Sequence, residues 1–259
     1  MSTLRARCPD CRTLTAVALG AEYECHTCGR LFAAGLVRVP RAWGTGGEAM
    51  AEAARLALPY PEAAVIDEPS LDRQREATAS SLPQRPLVLG GCCCAHVGAV
   101  EELARRRGRL AVVWLDAHGD LNTSETSPSG NAWGMPLRML LDARAVAPGD
   151  VALVGARNLD PPEAQFVHAS GLHLDGETAV ERAVAGADAV YVALDLDALD
   201  GDEVDVFMPE PGGLSVAEAE RLLGLVAKRA PVAGAGASGL LPAERNAEPL
   251  VRLLTALGL

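Results

Sequence analysis

The chain has 259 residues, and hydrophobic types make up 49% of them, so it can bury a large core without disulfide bonds. Its formal net charge of −11 argues against a general nucleic-acid binder and against a protein of acidic membrane surfaces. No apolar stretch has the length of a membrane span, and the N-terminal residues lack the apolar core of a signal peptide. The seven cysteines are not spaced like a disulfide framework, which favours a reducing, cytoplasmic location.

The first predicted element is a small module over residues 1–33 that contains two C-x-x-C knuckles. Cys8 and Cys11 form the first knuckle, and Cys25 and Cys28 form the second after a spacer long enough for a hairpin. Four thiolates at this spacing favour tetrahedral Zn²⁺. The sequence therefore predicts a zinc ribbon with one structural Zn²⁺, and a redox-active dithiol pair is the alternative.

From residue 36 onward, short β-branched runs alternate with stretches rich in Ala, Leu, Arg and Glu. The predicted strands are 36–39, 87–89, 110–115, 151–154, 190–194 and 232–235, and the predicted helices include 97–107, 179–185, 216–229 and 248–257. This alternation predicts an α/β domain over 36–259, with a mostly parallel central sheet between two helical layers and with ligands beyond the carboxyl ends of its strands. Residues 61–86 are polar and are predicted to be a surface excursion.

Two of the predicted strands run into acidic residues at alternate positions. The first leads into Asp116, His118 and Asp120, and the second into Asp195 and Asp197. Alternate residues of a strand project to the same side, and several buried carboxylates repel one another unless cations neutralise them. The pattern predicts a site for two divalent ions, because oxygen ligands with one imidazole suit metals such as Mn²⁺ and metal-assisted hydrolysis. A polar loop with one satisfied histidine is the alternative.

Several segments resemble, in chain order, motifs of the arginase/agmatinase (ureohydrolase) family. Residues 116–136 (DAHGDLNTSETSPSGNAWGMP) are similar to the family's D-A-H-x-D signature and the S-G-N-x-H-G-x-P loop that follows it. Residues 195–200 (DLDALD) are similar to its S-x-D-x-D-x-x-D-P signature. Segments 89–91, 155–163 and 209–215 resemble its G-G-D-H-S turn, the segment that holds a substrate's α-amino group, and its P-x-x-G-G-L-[ST] stretch. The resemblance implies an arginase-like three-layer α/β/α fold.

The resemblance also implies a reaction, in which two Mn²⁺ ions bridge a hydroxide that attacks the guanidinium carbon of a small, amino-acid-like substrate. It implies a homo-oligomer, either a trimer or a hexamer. The catalytic roles carry over to His118, Asp120 and Asp195. The implied ligands of the two ions are Cys93, Asp116, His118, Asp120, Asp195 and Asp197. The implied substrate-binding residues are Asn122, Ser127, Ser129, Asn131, Trp133 and Asp160.

The sequence departs from the family's pattern at three places. Cys93 stands where the family has a histidine ligand, and a thiolate would favour Zn²⁺, Fe²⁺ or Co²⁺; His96 is the alternative ligand. Trp133 replaces the family's proton-relaying histidine, and its indole has no useful basicity, although it can stack on a planar or cationic substrate. Residues 237–242 (ASGLLP) offer no acid to pair with a guanidinium, and Glu244 is the nearest one. These departures support a second hypothesis, a non-catalytic metal-binding or regulatory protein on the same fold.

Overall fold

The computed structural model describes residues 5–259, which form two sheets. The smaller sheet is antiparallel, and its strands are β1 (Arg5–Ala6), β2 (Ala16–Leu19), β3 (Glu22–Cys25) and β4 (Leu31–Phe32). The strands of the larger sheet are β5 (Gly35–Val39), β6 (Glu62–Val65), β7 (Pro86–Gly90), β8 (Leu110–Leu115), β9 (Val151–Val154), β10 (His173–Leu174), β11 (Ala189–Asp195) and β12 (Val232–Ser238).

The larger sheet has the order β10-β9-β8-β11-β12-β7-β5-β6, and all of its pairings are parallel. The helices are α1 (Glu48–Ala53), α2 (Leu71–Ser81), α3 (Val97–Arg107), α4 (Pro136–Asp142), α5 (Pro161–Ser170), α6 (Gly176–Val184), α7 (Val216–Arg229) and α8 (Ala247–Ala256). One buried cluster packs α6, α7 and α8 against the sheet, and another packs α3 and α4 against it. The predicted α/β fold with a central parallel sheet between two helical layers is confirmed.

The prediction that residues 61–86 are a surface excursion is wrong. β6 pairs in parallel with β5 as an edge strand, and α2 begins after Ser70, whose hydroxyl accepts a hydrogen bond from the Arg73 N–H. The segment is polar because β6 is largely half-buried and because α2 buries only Gln74 and Thr78. An apolar pattern is therefore absent although the structure is regular.

The small sheet lies against the β6 edge of the large one. Arg7 and Glu62 exchange two backbone hydrogen bonds, with N···O distances of 2.9 and 3.0 Å. The buried Tyr23 ring fills the space beside Gly35, where a Cβ atom would come within 2.6 Å of the ring. The small sheet thus covers an edge strand whose backbone groups would otherwise be open to pairing with another chain.

Across residues 5–259, the structure contains no helix with the length and apolar character needed to cross a membrane.

Candidate active site

The candidate site lies where four neighbouring strands of the large sheet end. Asp116 follows β8, Asp195 ends β11, Ser238 ends β12, and Cys93 opens a short 3₁₀ turn after β7. Because β8, β11, β12 and β7 are adjacent and parallel, their carboxyl ends meet at one edge, as in other open α/β sheets. A cavity of about 150 Å³ opens there.

Asp116 belongs to two groups of potential metal ligands. In the first, ligand atoms of Cys93, Asp116 and Asp120 lie within 4.8 Å of one another. In the second, ligand atoms of Asp116, His118 and Asp197 lie within the same 4.8 Å limit. Asp195 adjoins the first group, because its Oδ2 atom lies 3.0 Å from the Cys93 sulfur. The structure therefore brings all six predicted ligands together, with one carboxylate common to both groups.

Hydrogen-bond donors near the strand ends fix the orientation of these carboxylates. The backbone N–H of His118 donates to Asp116 Oδ1 at 2.7 Å, and the Trp114 indole donates to Asp116 Oδ2 at 3.1 Å. The Ala117 N–H donates to Asp197 Oδ1 at 3.0 Å. The acidic side chains are thus held in place by groups that carry no net charge.

The crowding of buried carboxyl groups raises their pKa values. Burial and the charge of Asp197 raise the pKa of Asp195 to about 7, and burial and the charge of Asp116 raise the pKa of Asp197 to about 6. Burial and the charges of Asp116 and Asp195 raise the pKa of Asp120 well above its ordinary value. Oδ2 of Asp120 is buried and has no hydrogen-bond partner among residues 5–259. Bound cations would relieve this repulsion and use the free oxygen.

Cys93 and His96 have different surroundings. The Cys93 side chain lines the cavity, and burial, followed by the neighbouring aspartate charges, raises the pKa of its thiol well above its ordinary value. The alternative ligand His96 is engaged behind the cavity: Nε2 lies 3.2 Å from Ser238 Oγ, and Nδ1 lies 3.0 Å from the Tyr191 hydroxyl. The structure therefore favours Cys93 over His96 as a ligand candidate.

One wall of the cavity is polar. Asn122 Nδ2 donates to Asp160 Oδ2 at 2.8 Å. Glu163 accepts hydrogen bonds from the backbone N–H groups of Leu121 and Asp160, both at 2.9 Å, so it supports this wall from the first turn of α5. Ser127, another of the predicted substrate-binding residues, also lines the cavity.

Ser129 and Asn131 follow in the same loop, but only one of them reaches the cavity. Ser129 is part of the lining, whereas Asn131 Oδ1 accepts a hydrogen bond from the Thr45 N–H at 2.9 Å. Asn131 therefore does not line the cavity in this structure, and its contact with substrate stays a prediction.

Another wall of the cavity is apolar and includes Trp133. The Trp133 ring meets Phe207 edge to face, with centroids 5.9 Å apart, and Met50 packs in the same cluster. Gly239, which follows β12 with φ +75°, lies against the Asp195 carboxylate, which a Cβ atom at this position would overlap.

Glu244, the acid nearest in sequence to residues 237–242, lies away from the candidate cavity. Glu244 lines a separate hollow together with Glu52 and Arg55. The Glu244 carboxylate therefore belongs to a different surface from the candidate site.

Two further acids at the site were not assigned from the sequence. Glu163 lies in the 155–163 segment, and its position three residues after Asp160 is the signal of a helix-capping pair. Glu210 lies in the 209–215 stretch, and its Oε1 is 3.6 Å from His118 Nε2 and 2.7 Å from Asn158 Nδ2. The sequence offered no signal for Glu210, because only the fold brings it to His118.

Comparison with known proteins places these motifs in one family. The sequence model described as the arginase family matches residues 48–248, a range that contains the whole candidate site. The chain belongs to the arginase family. The resemblance predicted from the motifs is confirmed. The arginase of Bacillus subtilis (strain 168) is 37% identical over 158 residues, which cover 51% of this chain and 53% of that protein. The chain thus spans about half the length of the curated relatives it matches.

Solved structures of arginase-family members share the fold. The arginase of Bacillus caldovelox aligns with a TM-score of 0.73 and 26% identity, and the alignment covers 86% of this chain and 97% of that one. Formimidoylglutamase from Bacillus subtilis subsp. subtilis str. 168 aligns with a TM-score of 0.68 over 87% of each chain, at 18% identity, and supports the fold alone.

Proposed function

We propose that the protein is a binuclear-metal hydrolase that cleaves a C–N bond in a small amidino or guanidino compound. The observation that carries this proposal is the position of Asp116, whose carboxylate is common to both groups of potential ligands. A carboxylate shared in this way suits two ions that are held close together. Membership of the arginase family supports the same chemistry.

The donor set fits two divalent ions. Their proposed ligands are Cys93, Asp116, His118, Asp120, Asp195 and Asp197. Asp120 Oδ2, which has no hydrogen-bond partner in the described part of the chain, leaves an acceptor free for an ion. The family makes Mn²⁺ the first expectation, whereas a thiolate from Cys93 would favour Zn²⁺, Fe²⁺ or Co²⁺. When bound, such ions supply Lewis acidity and lower the pKa of a coordinated water.

The protein's own residues would orient the ligands. The catalytic roles proposed for Asp120, His118 and Asp195 are those of ligands. His118 Nδ1 lies 3.1 Å from Asp197 Oδ2, and its Nε2 is directed toward Glu210. A carboxylate beside the outer nitrogen fixes the tautomer and ring orientation of a ligating histidine.

The polar wall would hold the amino-acid end of the substrate. The hydroxyls of Ser127 and Ser129 each accept a backbone N–H, so their own hydrogens can be donated to a carboxylate. Asn122 and Asp160 complete this wall, and Asp160 offers an acceptor to an ammonium group. The apolar wall with Trp133 would lie along the body of the substrate.

A panel of guanidino and amidino compounds tests the proposal. The protein is freed of metal, reconstituted separately with Mn²⁺, Co²⁺, Zn²⁺, Ni²⁺ and Fe²⁺, and assayed for release of urea or of an amide product. We expect metal-dependent turnover that Asp116→Ala and Asp195→Ala abolish. The absence of product across the whole panel with every metal would contradict the proposal.

A non-catalytic metal-binding or regulatory protein is the second candidate. Two observations favour it, namely the indole of Trp133 at the position of the family's histidine and the absence of an acid in residues 237–242. It predicts that the metal-loaded protein binds an amino-acid-like ligand without converting it. Saturable turnover that is lost in Asp116→Ala would exclude this candidate.

We also propose that the small sheet is a zinc ribbon with one structural Zn²⁺. Its four cysteine sulfurs lie within 4.8 Å of one another, with distances of 3.5 Å from Cys11 to Cys25 and 3.8 Å from Cys8 to Cys28. Sulfurs at about 2.3 Å from a tetrahedral Zn²⁺ lie roughly 3.8 Å apart. Hydrogen bonding, led by the Thr15 hydroxyl, lowers the pKa of Cys25 to about 5, which favours a thiolate. Zinc analysis of the purified protein should find one ion that Cys25→Ser removes.

The remaining proposals concern assembly, organisation and location. We propose a homo-oligomer, a trimer or a hexamer by resemblance, and light scattering of the purified protein tests it. We propose that residues 1–33 form the ribbon and 36–259 the hydrolase domain; residues 1–4 lie outside the described part of the chain. We further propose that the substrate is a small molecule, that the protein binds neither membranes nor nucleic acid, and that its location is cytoplasmic.

A further inference from the structure

A chain of hydrogen-bonding side chains runs behind the candidate metal site. The Tyr191 hydroxyl lies 3.0 Å from His96 Nδ1, and His96 Nε2 lies 3.2 Å from Ser238 Oγ. Ser238 Oγ in turn lies 3.1 Å from the Cys93 sulfur and 3.5 Å from Asp195 Oδ2. Tyr191, His96, Ser238 and Cys93 are all buried, so each bond is shielded from competition with water.

The chemistry of these groups determines which partner donates each hydrogen bond in the series. The Tyr191 hydroxyl has a single hydrogen, and His96 Nδ1 is its hydrogen-bond partner within residues 5–259. If Tyr191 donates to Nδ1, then Nε2 of the neutral imidazole carries the hydrogen and donates to Ser238 Oγ. The Ser238 hydroxyl hydrogen is then free to be donated to Cys93 or Asp195. The opposite direction would leave the Tyr191 hydrogen buried without an acceptor, which is costly.

The imidazole occupies a space that the surrounding strands leave for it. A Cβ atom at Gly236 in β12 would come within about 2.6 Å of both His96 Nδ1 and the Tyr191 hydroxyl. The Trp114 ring packs edge-on against His96, with centroids 5.6 Å apart. Burial lowers the pKa of His96 to about 3, so the ring stays neutral and keeps one donor and one acceptor. His96 is therefore fixed by packing as well as by its two hydrogen bonds.

We propose that Ser238, oriented by His96, donates its hydroxyl hydrogen to the Cys93 sulfur and so positions Cys93 as a thiolate ligand. The inference rests on the proposed function, because it takes Cys93 to be a ligand. A metal-bound thiolate can only accept hydrogen bonds, and Ser238 is the hydroxyl beside it. Groups that hold a ligand from behind typically contribute about 10- to 100-fold to metal affinity. Ser238 and His96 are thus positioning residues.

Titration with Co²⁺ alone, followed by the sulfur-to-cobalt absorption band, tests the proposal without an activity assay. The four cysteines of the ribbon would also give such a band, so Cys93→Ser serves as the reference. The spectrum of the wild type minus that of Cys93→Ser isolates the Cys93 contribution. We expect Ser238→Ala to weaken Co²⁺ binding in this component by about 10- to 100-fold. In the Cys93→Ser background, Ser238→Ala should weaken Co²⁺ binding much less than it does in the wild type, because only the longer 3.5 Å contact with Asp195 is left to lose.

Tyr191→Phe provides a second variant that preserves ring packing. Removal of its hydroxyl takes the donor from His96 Nδ1, so the tautomer that donates to Ser238 is no longer enforced, and we expect a smaller loss of affinity. If both variants bind Co²⁺ as the wild type does and keep the difference band, the positioning role is wrong and the proposed function stands. If the wild type shows no difference band, Cys93 is not a ligand, and that part of the proposed function fails with the inference.

Discussion

The indole ring of Trp133 lies so close to the backbone of Gly44 that a methyl group at position 44 would overlap its ring atoms. A Cβ atom at Gly47 would lie 2.9 Å from the same ring. The loop before α1 therefore holds the indole in place, and Phe207 meets it edge to face from another side. Trp133 is thus a fixed part of the cavity wall.

Gly44→Ala should destabilise the protein by displacing this ring. Overpacking of a well-filled site typically costs about 1–3 kcal/mol, which a denaturant unfolding curve can resolve. Gly224 in α7 provides the control, because a Cβ atom there meets nothing within 4 Å. Gly224→Ala should stabilise the protein by about 0.5–1 kcal/mol. Unfolding of Gly44→Ala at the wild-type midpoint would show that the indole is not held by this loop.

Trp133→His should raise turnover if the protein is a hydrolase of the proposed kind. The indole cannot exchange a proton at neutral pH, whereas an imidazole at this position can act as a general acid or base. General acid–base catalysis contributes about 10²- to 10⁴-fold, so kcat on the best amidino substrate should rise within that range. Trp133→Phe removes the indole without adding a base and should give no gain. Equal rates in the two variants would mean that another group already moves the proton.

The sequence predicted which candidate ligands would meet at the site better than it predicted the walls of the cavity. Asp195 and Asp197, like Asp116 and His118, stand at alternate positions where a predicted strand ends. Strand geometry alone puts alternate residues on one side of the sheet, so the sequence was enough to group them. Motif positions added Cys93, which the structure brings within 3.0 Å of Asp195. These relations are local or belong to recognisable motifs.

The rest of the site depends on contacts between residues far apart in the chain. Glu210 approaches His118 from a loop after β11, and Phe207 reaches Trp133 from the same region. Such contacts leave no periodic pattern in the sequence from which they could be predicted. The edge strand β6 was missed for a related reason, because a half-exposed edge does not need the apolar run that buried parallel strands show.

Asp120→Asn should stabilise the metal-free protein and remove its stabilisation by metal. Burial and two neighbouring carboxylates disfavour the charge on Asp120 and raise its pKa, so a neutral amide of the same shape relieves the repulsion. The wild type should gain about 2.7 kcal/mol when the free metal reaches about 100 times its dissociation constant. Thermal unfolding with and without Mn²⁺ or Co²⁺ measures both effects. A variant that metal stabilises as much as the wild type would exclude Asp120 as a ligand.

The stability of the metal-free protein should fall as the pH rises from about 4 to about 7. The pKa values of Asp195 and Asp197 are raised to about 7 and about 6, mainly by burial. The stability contributed by their protonated forms is fully present below the unfolded-state pKa, about 4, and is lost as the pH passes the folded-state values. Unfolding midpoints across this pH range, in a chelating buffer, test the prediction. Asp195→Asn should flatten the profile, and an equally steep profile in that variant would contradict this origin.

Loss of the Zn²⁺ that we propose for the small sheet should expose the edge of the large sheet. The Glu62 amide donates to the carbonyl of Arg7, the residue next to Cys8, so the proposed Zn²⁺ would hold this backbone beside β6. In Cys25→Ser, hydrogen exchange at the Glu62 amide should accelerate, while the strands around the candidate site stay protected. Asp10→Asn is the matched control within the ribbon, since it removes the charge of an exposed ion pair and should leave the exchange unchanged. Unaltered protection of Glu62 in Cys25→Ser would mean that the ribbon covers the edge without its metal.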